Sequence, residues 1–151
     1  MSETYTQLTR TIERLHRRLL DVIRLELTTL GVDDINAVQA LMLTNLEGKG
    51  TTVRDLVQRG YYLGSNASYN IKQLVEAGYV DQERSSRDRR AQIVRLTKKG
   101  DGLVTRLRDL DTRNAEALAK SKDAAAEIAT AANVLRRLEG LWSDYLRYAE
   151  F

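Results

Sequence analysis

A chain of 151 residues, 42% hydrophobic and 30% charged, is sized for a single domain with enough apolar material for a core. It has no cysteine, no proline and one histidine, His16, which excludes disulfides, thiolate metal sites and cysteine nucleophiles and leaves metal centres and hydrolytic triads short of candidates. Net charge is only +3, yet Arg84 to Lys99 holds seven cations (Arg84, Arg87, Arg89, Arg90, Arg95, Lys98, Lys99) against one anion, Asp88, so the rest of the chain is mildly acidic.

No apolar run approaches the roughly 20 residues of a membrane span. The first residues lack the apolar centre of a secretory signal, so the cytoplasm is the expected location. EGKGTT at 47–52 lacks the first glycine and the spacing of a nucleotide-binding loop.

In chain order, Thr4 to Leu30 reads as a long helix. Leu8, Ile12, Leu15, Leu19 and Ile23 recur at steps of three and four, Leu20, Leu27 and Leu30 widen the stripe, and Gly31 ends it. A second helix capped by Asp33 or Asp34 is expected to reach Leu46 with Ile35, Val38, Leu41, Met42 and Leu46 inward. Residues 47–50 make a turn. Thr51 or Thr52 caps a short third helix, Val53 to Arg59, and GYYLG at 60–64 connects it to a fourth. Ser65 is the expected cap of that fourth helix, which buries Ala67, Ile71, Leu74 and Val75 and closes at Gly78. Two short helices across a glycine-bounded turn form a helix-turn-helix.

Tyr79–Glu83 and Gln92–Leu96 alternate in strand fashion around SSRDRR, the pattern of a basic hairpin, or wing. Thr97 then caps another long helix bearing Leu103, Leu107 and Leu110. The segment from Ala115 onward holds nine alanines by Ala132. Val134, Leu135, Leu138, Leu141, Trp142, Tyr145 and Tyr148 follow at helical spacing. The expected fold is mainly α with a small β-hairpin wing: a winged helix-turn-helix over about 34–100, flanked by dimerisation helices over about 1–31 and 101–151. Each terminal stripe exceeds what one chain can bury, which points to a homodimer through the terminal helices.

Reading DNA takes phosphate contacts that position and base-edge contacts that specify. The solvent-facing set on the fourth helix is Ser65, Asn66, Ser68, Tyr69, Lys72 and Gln73, all able to hydrogen-bond. Asn and Gln can pair with adenine at two points. Ser65, Asn66 and Tyr69 lie in the first turns, where bases are approached. Any surface helix exposes polar residues, and most basic loops are merely solvated. The conjunction of helix and wing is what favours double-stranded DNA. An Arg-rich tip suits the minor groove: Arg90, then Arg89, are expected to enter it, with Asp88 orienting a guanidinium. Arg87, Arg84 and Lys98 are expected on phosphates.

These residues also carry a family resemblance. Thr52–Gly100, in particular Leu74 four residues before Gly78 and then Tyr79-Val80, Asp88-Arg89-Arg90, and Leu96-Thr97 followed by Gly100, resembles the multiple antibiotic resistance regulator (MarR) family of winged-helix transcription factors. The resemblance implies a homodimeric regulator on a short inverted-repeat operator, more often a repressor than an activator. It also implies a small aromatic or phenolic effector bound between the dimer helices and the DNA-binding lobe, with His16, Met42 and Tyr61 as candidate lining residues. Neither cofactor nor metal is expected. Two departures from the family pattern stand out. Tyr61-Tyr62 replaces a Leu-Gly-Ile type turn, with Tyr62 expected buried, and Tyr69 stands where arginine is frequent. The competing functions are a winged-helix protein-interaction module without DNA binding, an enzyme, for which no nucleophile–base pair exists, and a membrane-surface role for the basic first helix, which Glu13, Asp21 and Glu26 interrupt.

Overall fold

The computed structural model describes residues 1–46, 48, 50–60, 64–87 and 90–149. Its elements are α1 (Ser2–Thr29), α2 (Ala37–Thr44), β1 (Thr51–Thr52), α3 (Val53–Gly60), α4 (Gly64–Glu76), β2 (Val80–Arg84), β3 (Gln92–Leu96), α5 (Lys98–Leu118) and α6 (Ala124–Tyr148). They divide into two compact units, Met1–Leu110 and Asp111–Phe151. The helical architecture with a small antiparallel sheet matches the expected fold class.

In the first unit the helix ends follow from glycine. Gly31 and Gly78 take φ of 72° and 84°, a left-handed backbone that side chains with a Cβ disfavour. Each is followed by a residue whose N–H reaches back into the helix, Val32 to the Leu27 carbonyl and Tyr79 to the Leu74 carbonyl, both at 2.9 Å. This satisfies carbonyls that would otherwise lack donors.

The start of α2 differs from expectation. Its cap is Asn36, not Asp33 or Asp34: the Gln39 N–H donates to Asn36 Oδ1 at 2.8 Å, and the Asn36 N–H to Gln39 Oε1 at 3.0 Å. That reciprocal box satisfies two helix-end donors at once. Asp34 is engaged elsewhere, by Tyr79 and Lys99.

Thr52 does cap α3, accepting from the Asp55 N–H at 3.1 Å. It also belongs to β1, which pairs with β3 through Thr51↔Val94 and Thr52↔Ile93. The hairpin is therefore part of a three-stranded antiparallel sheet, ordered β1-β3-β2, with β3 central. The wing register runs from Val80↔Leu96 to Arg84↔Gln92. Helix α4 begins at Gly64, so Ser65 sits in its first turn and is not its cap. Thr97 caps α5, its Oγ1 accepting from the Gly100 N–H at 3.2 Å while donating to the Gly78 carbonyl.

The core draws Ile23 and Leu27 from α1, Ala40, Met42 and Leu43 from α2, and Leu56 from α3. Ala67, Ile71 and Leu74 of α4, Val80 and Val94 of the sheet, and Leu103, Val104 and Leu107 of α5 join it, with Ile35, Ala37, Leu46 and Tyr79. Val38 and Val75, expected inward, are exposed. The buried residues are Ala37, Gln39, Ala40, Met42 and Leu43 in α2, and Ala67, Ile71 and Leu74 in α4, so Val38 and Val75 fall outside the buried face of each helix. At Gly100 a Cβ would collide with the Tyr79 carbonyl oxygen, so the glycine lets α5 start flush against the base of the wing.

In the second unit α6 buries Ala124 and Leu138. Val134, Leu135, Leu141, Trp142, Tyr145, Leu146 and Tyr148 remain exposed along it. Among the described residues no helix is long and apolar enough to cross a membrane, and no group of three His, Asp or Glu is placed to hold a metal ion.

Candidate nucleic-acid interface

Helix α4 is anchored by Ala67, Ile71 and Leu74, so its opposite face must point to solvent. That face carries Ser65, Asn66, Ser68, Tyr69 and Lys72, all exposed, with Tyr69 63% accessible. Gln73 is half-buried on the flank. Five of the six expected helix residues thus share an open surface, and Gln73 borders it.

The single left-handed residue Gly78 turns α4 into the hairpin. Arg84 closes β2, the Arg87 N–H donates to Ser85 Oγ at 3.2 Å, and Arg90 is exposed just before β3. Lys98 is exposed at the start of α5. Asp88 and Arg89 lie outside the described residues, as does Tyr61.

Arg95 and Lys99, both within the basic run, are held by intramolecular partners. Arg95 Nε donates to Glu83 Oε1 at 2.9 Å across the hairpin. Lys99 Nζ donates to Asp34 Oδ2 at 2.8 Å and to the Ala77 carbonyl at 2.7 Å, and stands 4.3 Å from the centre of the Tyr79 ring. The charges of Arg95 and Lys99 are thus partly offset within the chain.

Lys99 sits at the C-terminal end of α4, where a cation offsets the helix dipole and supplies a donor to a terminal carbonyl. Its partner Asp34 also accepts from the Tyr79 hydroxyl at 2.7 Å. Burial raises the Asp34 carboxyl, but the hydrogen bonds from Lys99 and Tyr79 and the lysine charge outweigh it, leaving the group below its ordinary value of 3.8. Burial first, and then the adjacent carboxylate, push the Tyr79 hydroxyl well above its ordinary range. The network pins the α1–α2 loop, the end of α4 and the start of α5 to one another.

Beside that loop lies an open cavity of about 430 Å³, lined by Leu20, Arg24 and Leu27 of α1, by Val32, Ile35 and Asn36 of the loop, and by the first residues of α2. Two of the expected effector contacts do not reach it. His16 is exposed about one turn before Leu20 on α1, and Met42 is wholly enclosed in the core, 0% accessible.

Gln39, 6% accessible, and its bond to Asn70 of α4 were not anticipated. The only local hint was the N-x-x-Q spacing of Asn36 and Gln39, a capping pattern.

The family model described as MarR family matches residues 31–91. The chain is 39% identical over 145 residues to the exopolysaccharide II synthesis transcriptional activator ExpG of Rhizobium meliloti (strain 1021), covering 96% of this chain and 75% of that protein. In fold it is similar to the transcriptional regulator SlyA, with a TM-score of 0.80 at 18% identity over 95% of this chain and 99% of that one. It is likewise similar to a MarR family regulator from Listeria monocytogenes whose structure is a complex with 26mer DNA, with a TM-score of 0.79 at 22% identity over 95% of each chain.

Proposed function

The chain belongs to the MarR family of transcriptional regulators, and from that premise we propose that it binds a pseudo-palindromic DNA operator as a homodimer. The observation that carries the reading is the exposed face of α4, five hydrogen-bonding side chains on a helix whose other face is locked into the core beside a basic hairpin. A rigid helix with such a face can enter a major groove, with Ser65, Asn66 and Tyr69 toward base edges. Arg90 and Arg89 enter the neighbouring minor groove with Asp88 beside them, and Arg84, Arg87 and Lys98 hold phosphates. Two such lobes related by a two-fold axis read half-sites about one helical turn apart.

The exposed apolar stripe of α6 supports the homodimer, since a helix with that much unburied apolar surface favours a partner. A small aromatic or phenolic effector is proposed for the cavity beside the α1–α2 loop, which offers apolar walls and the Arg24 side chain. The protein acts in the cytoplasm, where its DNA is. Repression is the first reading of its sign, for an operator that overlaps a promoter. The relative named as an activator favours the second, an operator placed upstream. A reporter carrying the selected site in either position separates the two.

The test is selection of bound duplexes from a random pool, followed by affinity measured against salt. A recovered inverted repeat and a steep salt dependence are expected. Indifference to duplex DNA at low ionic strength would remove the reading and leave a protein-interaction module.

A further inference from the structure

We propose that Gln39 and Asn70 form a positioning pair that sets the rotation of α4 about its own axis, and so decides how well the protein tells its operator from other DNA. The inference rests on the DNA-binding reading above. Gln39 lies inside α2 between the buried Ala37 and Ala40, and a buried side-chain amide is costly unless both of its ends are bonded. Its oxygen accepts from the Asn36 N–H at 3.0 Å, which completes the helix cap. Its nitrogen donates to Asn70 Oδ1 at 3.2 Å, 31 residues away.

Capping uses only the oxygen. A glutamate would cap as well, and its charge would suit a helix N-terminus better. The part of Gln39 that capping leaves unused is the N–H end, and that end is spent on α4.

Asn70 sits half-buried on the flank of α4, between the core residues Ala67, Ile71 and Leu74 and the exposed Ser65, Asn66 and Tyr69. Apolar packing resists separation of two helices but tolerates small rotations. A hydrogen bond is directional and penalises them. Rotating α4 displaces the side chains that meet base edges, whose two-point contacts demand accurate placement. Phosphate contacts by long, flexible cations are far less affected. Losing the pair should therefore reduce specific binding and spare non-specific binding.

The full-length protein and its Asn70→Ala, Gln39→Met, doubly substituted and Gln39→Glu forms are compared on the selected operator and on an unrelated duplex at one salt concentration. Asn70→Ala and Gln39→Met should each weaken operator binding about fivefold, the scale of one net hydrogen bond, with unrelated duplex unchanged. The double variant should be no worse than Gln39→Met alone, because both changes remove one bond. Gln39→Glu should retain selectivity, since the Asn70 amide can turn its N–H end to the carboxylate.

Gln39 is buried, so its effect on DNA can only be indirect. If Gln39→Met does not fold, amide exchange in free Asn70→Ala carries the test: faster exchange across residues 68–73 supports the pair, and unchanged exchange overturns it. Wild-type selectivity in either single variant, additive losses, or equal losses on both duplexes would also overturn it. A wild-type protein that binds no duplex at all would instead bring down the DNA reading beneath it.

Discussion

Between Ala37 and Leu107 most apolar side chains on the helices lie at least partly inside, Val38, Tyr69 and Val75 excepted, and Met42, Leu43, Leu56, Ile71, Leu74 and Val104 are essentially inaccessible. Helix α6, at 25 residues the second-longest helix, encloses only Ala124 and Leu138, while Leu141, Trp142, Tyr145, Leu146 and Tyr148 stay 41–79% accessible. The two regions have similar helical periodicity. They differ in whether the chain supplies the other side of the contact. The first region closes on itself, and α6 leaves an apolar stripe uncovered in one chain. Stability of the first should be indifferent to protein concentration, whereas that of the second should depend on it.

Truncation from Asn133 onward breaks the comparison most severely. It removes most of the α6 stripe and none of the lobe core, so a folded monomer is expected. Loss of the second half-site contact should cost about 10²–10⁴-fold in operator affinity, measured by titration beside sedimentation. A tight-binding monomer would contradict the homodimer.

Two point substitutions sharpen the same contrast. Leu43→Ala opens a cavity in the lobe and should lower unfolding free energy by about 2–5 kcal/mol at every protein concentration. Tyr145→Lys falls on a residue already 74% accessible in one chain, so its cost should appear only as weaker self-association. Denaturant unfolding at two concentrations tells them apart. A concentration-independent loss in Tyr145→Lys would mean α6 stabilises its own chain alone.

Within the lobe, Gly100→Ala should destabilise by about 1–3 kcal/mol, because the added methyl meets the rigid Tyr79 carbonyl and not a movable side chain. Arg90→Ala should weaken operator binding by a similar ~1–3 kcal/mol if it occupies the groove as proposed. Equal operator affinity in Arg90→Ala and wild type would remove Arg90 from that role.

How far the sequence could be read depended on the range of the interaction. Gly31 and Gly78, the α4 face and the β2–β3 hairpin rest on neighbours a few residues apart, and their patterns identified them. The α2 cap did not follow. Asp33, Asp34 and Asn36 are all good caps by type, and the choice was made by Tyr79 and Lys99, 45 and 65 residues from Asp34. Strand β1 is two residues long, too short for any alternation, and exists because β3 offers an edge. In the candidate site, the exposed helix residues were accessible from periodicity. That Arg95 is paired to Glu83, and Lys99 to Asp34, was not, since a count of charges does not say which of them have partners. Met42, an inward residue by helical spacing and a pocket candidate only by the family resemblance, is enclosed in the core, as the spacing expects.

The smallest effect concerns the Asp34–Tyr79–Lys99 network. Tyr79→Phe removes one hydrogen bond to a carboxylate that is still partly solvated, so a loss of about 1 kcal/mol is expected near neutral pH. The pH dependence follows from the two shifts. Asp34 titrates below its ordinary value of 3.8, so its contribution is present above that pH and disappears as pH falls through the folded value. Tyr79 titrates above its ordinary 10.0, so its contribution is full below that pH and disappears as pH rises through the folded value. The gap between wild type and Tyr79→Phe should thus be widest between these limits and narrow on both sides. Chemical denaturation of the two proteins across that range measures it. A gap near zero at every pH would mean that Tyr79 stabilises the joint through its ring and the Lys99 ammonium above it, with its hydroxyl contributing nothing.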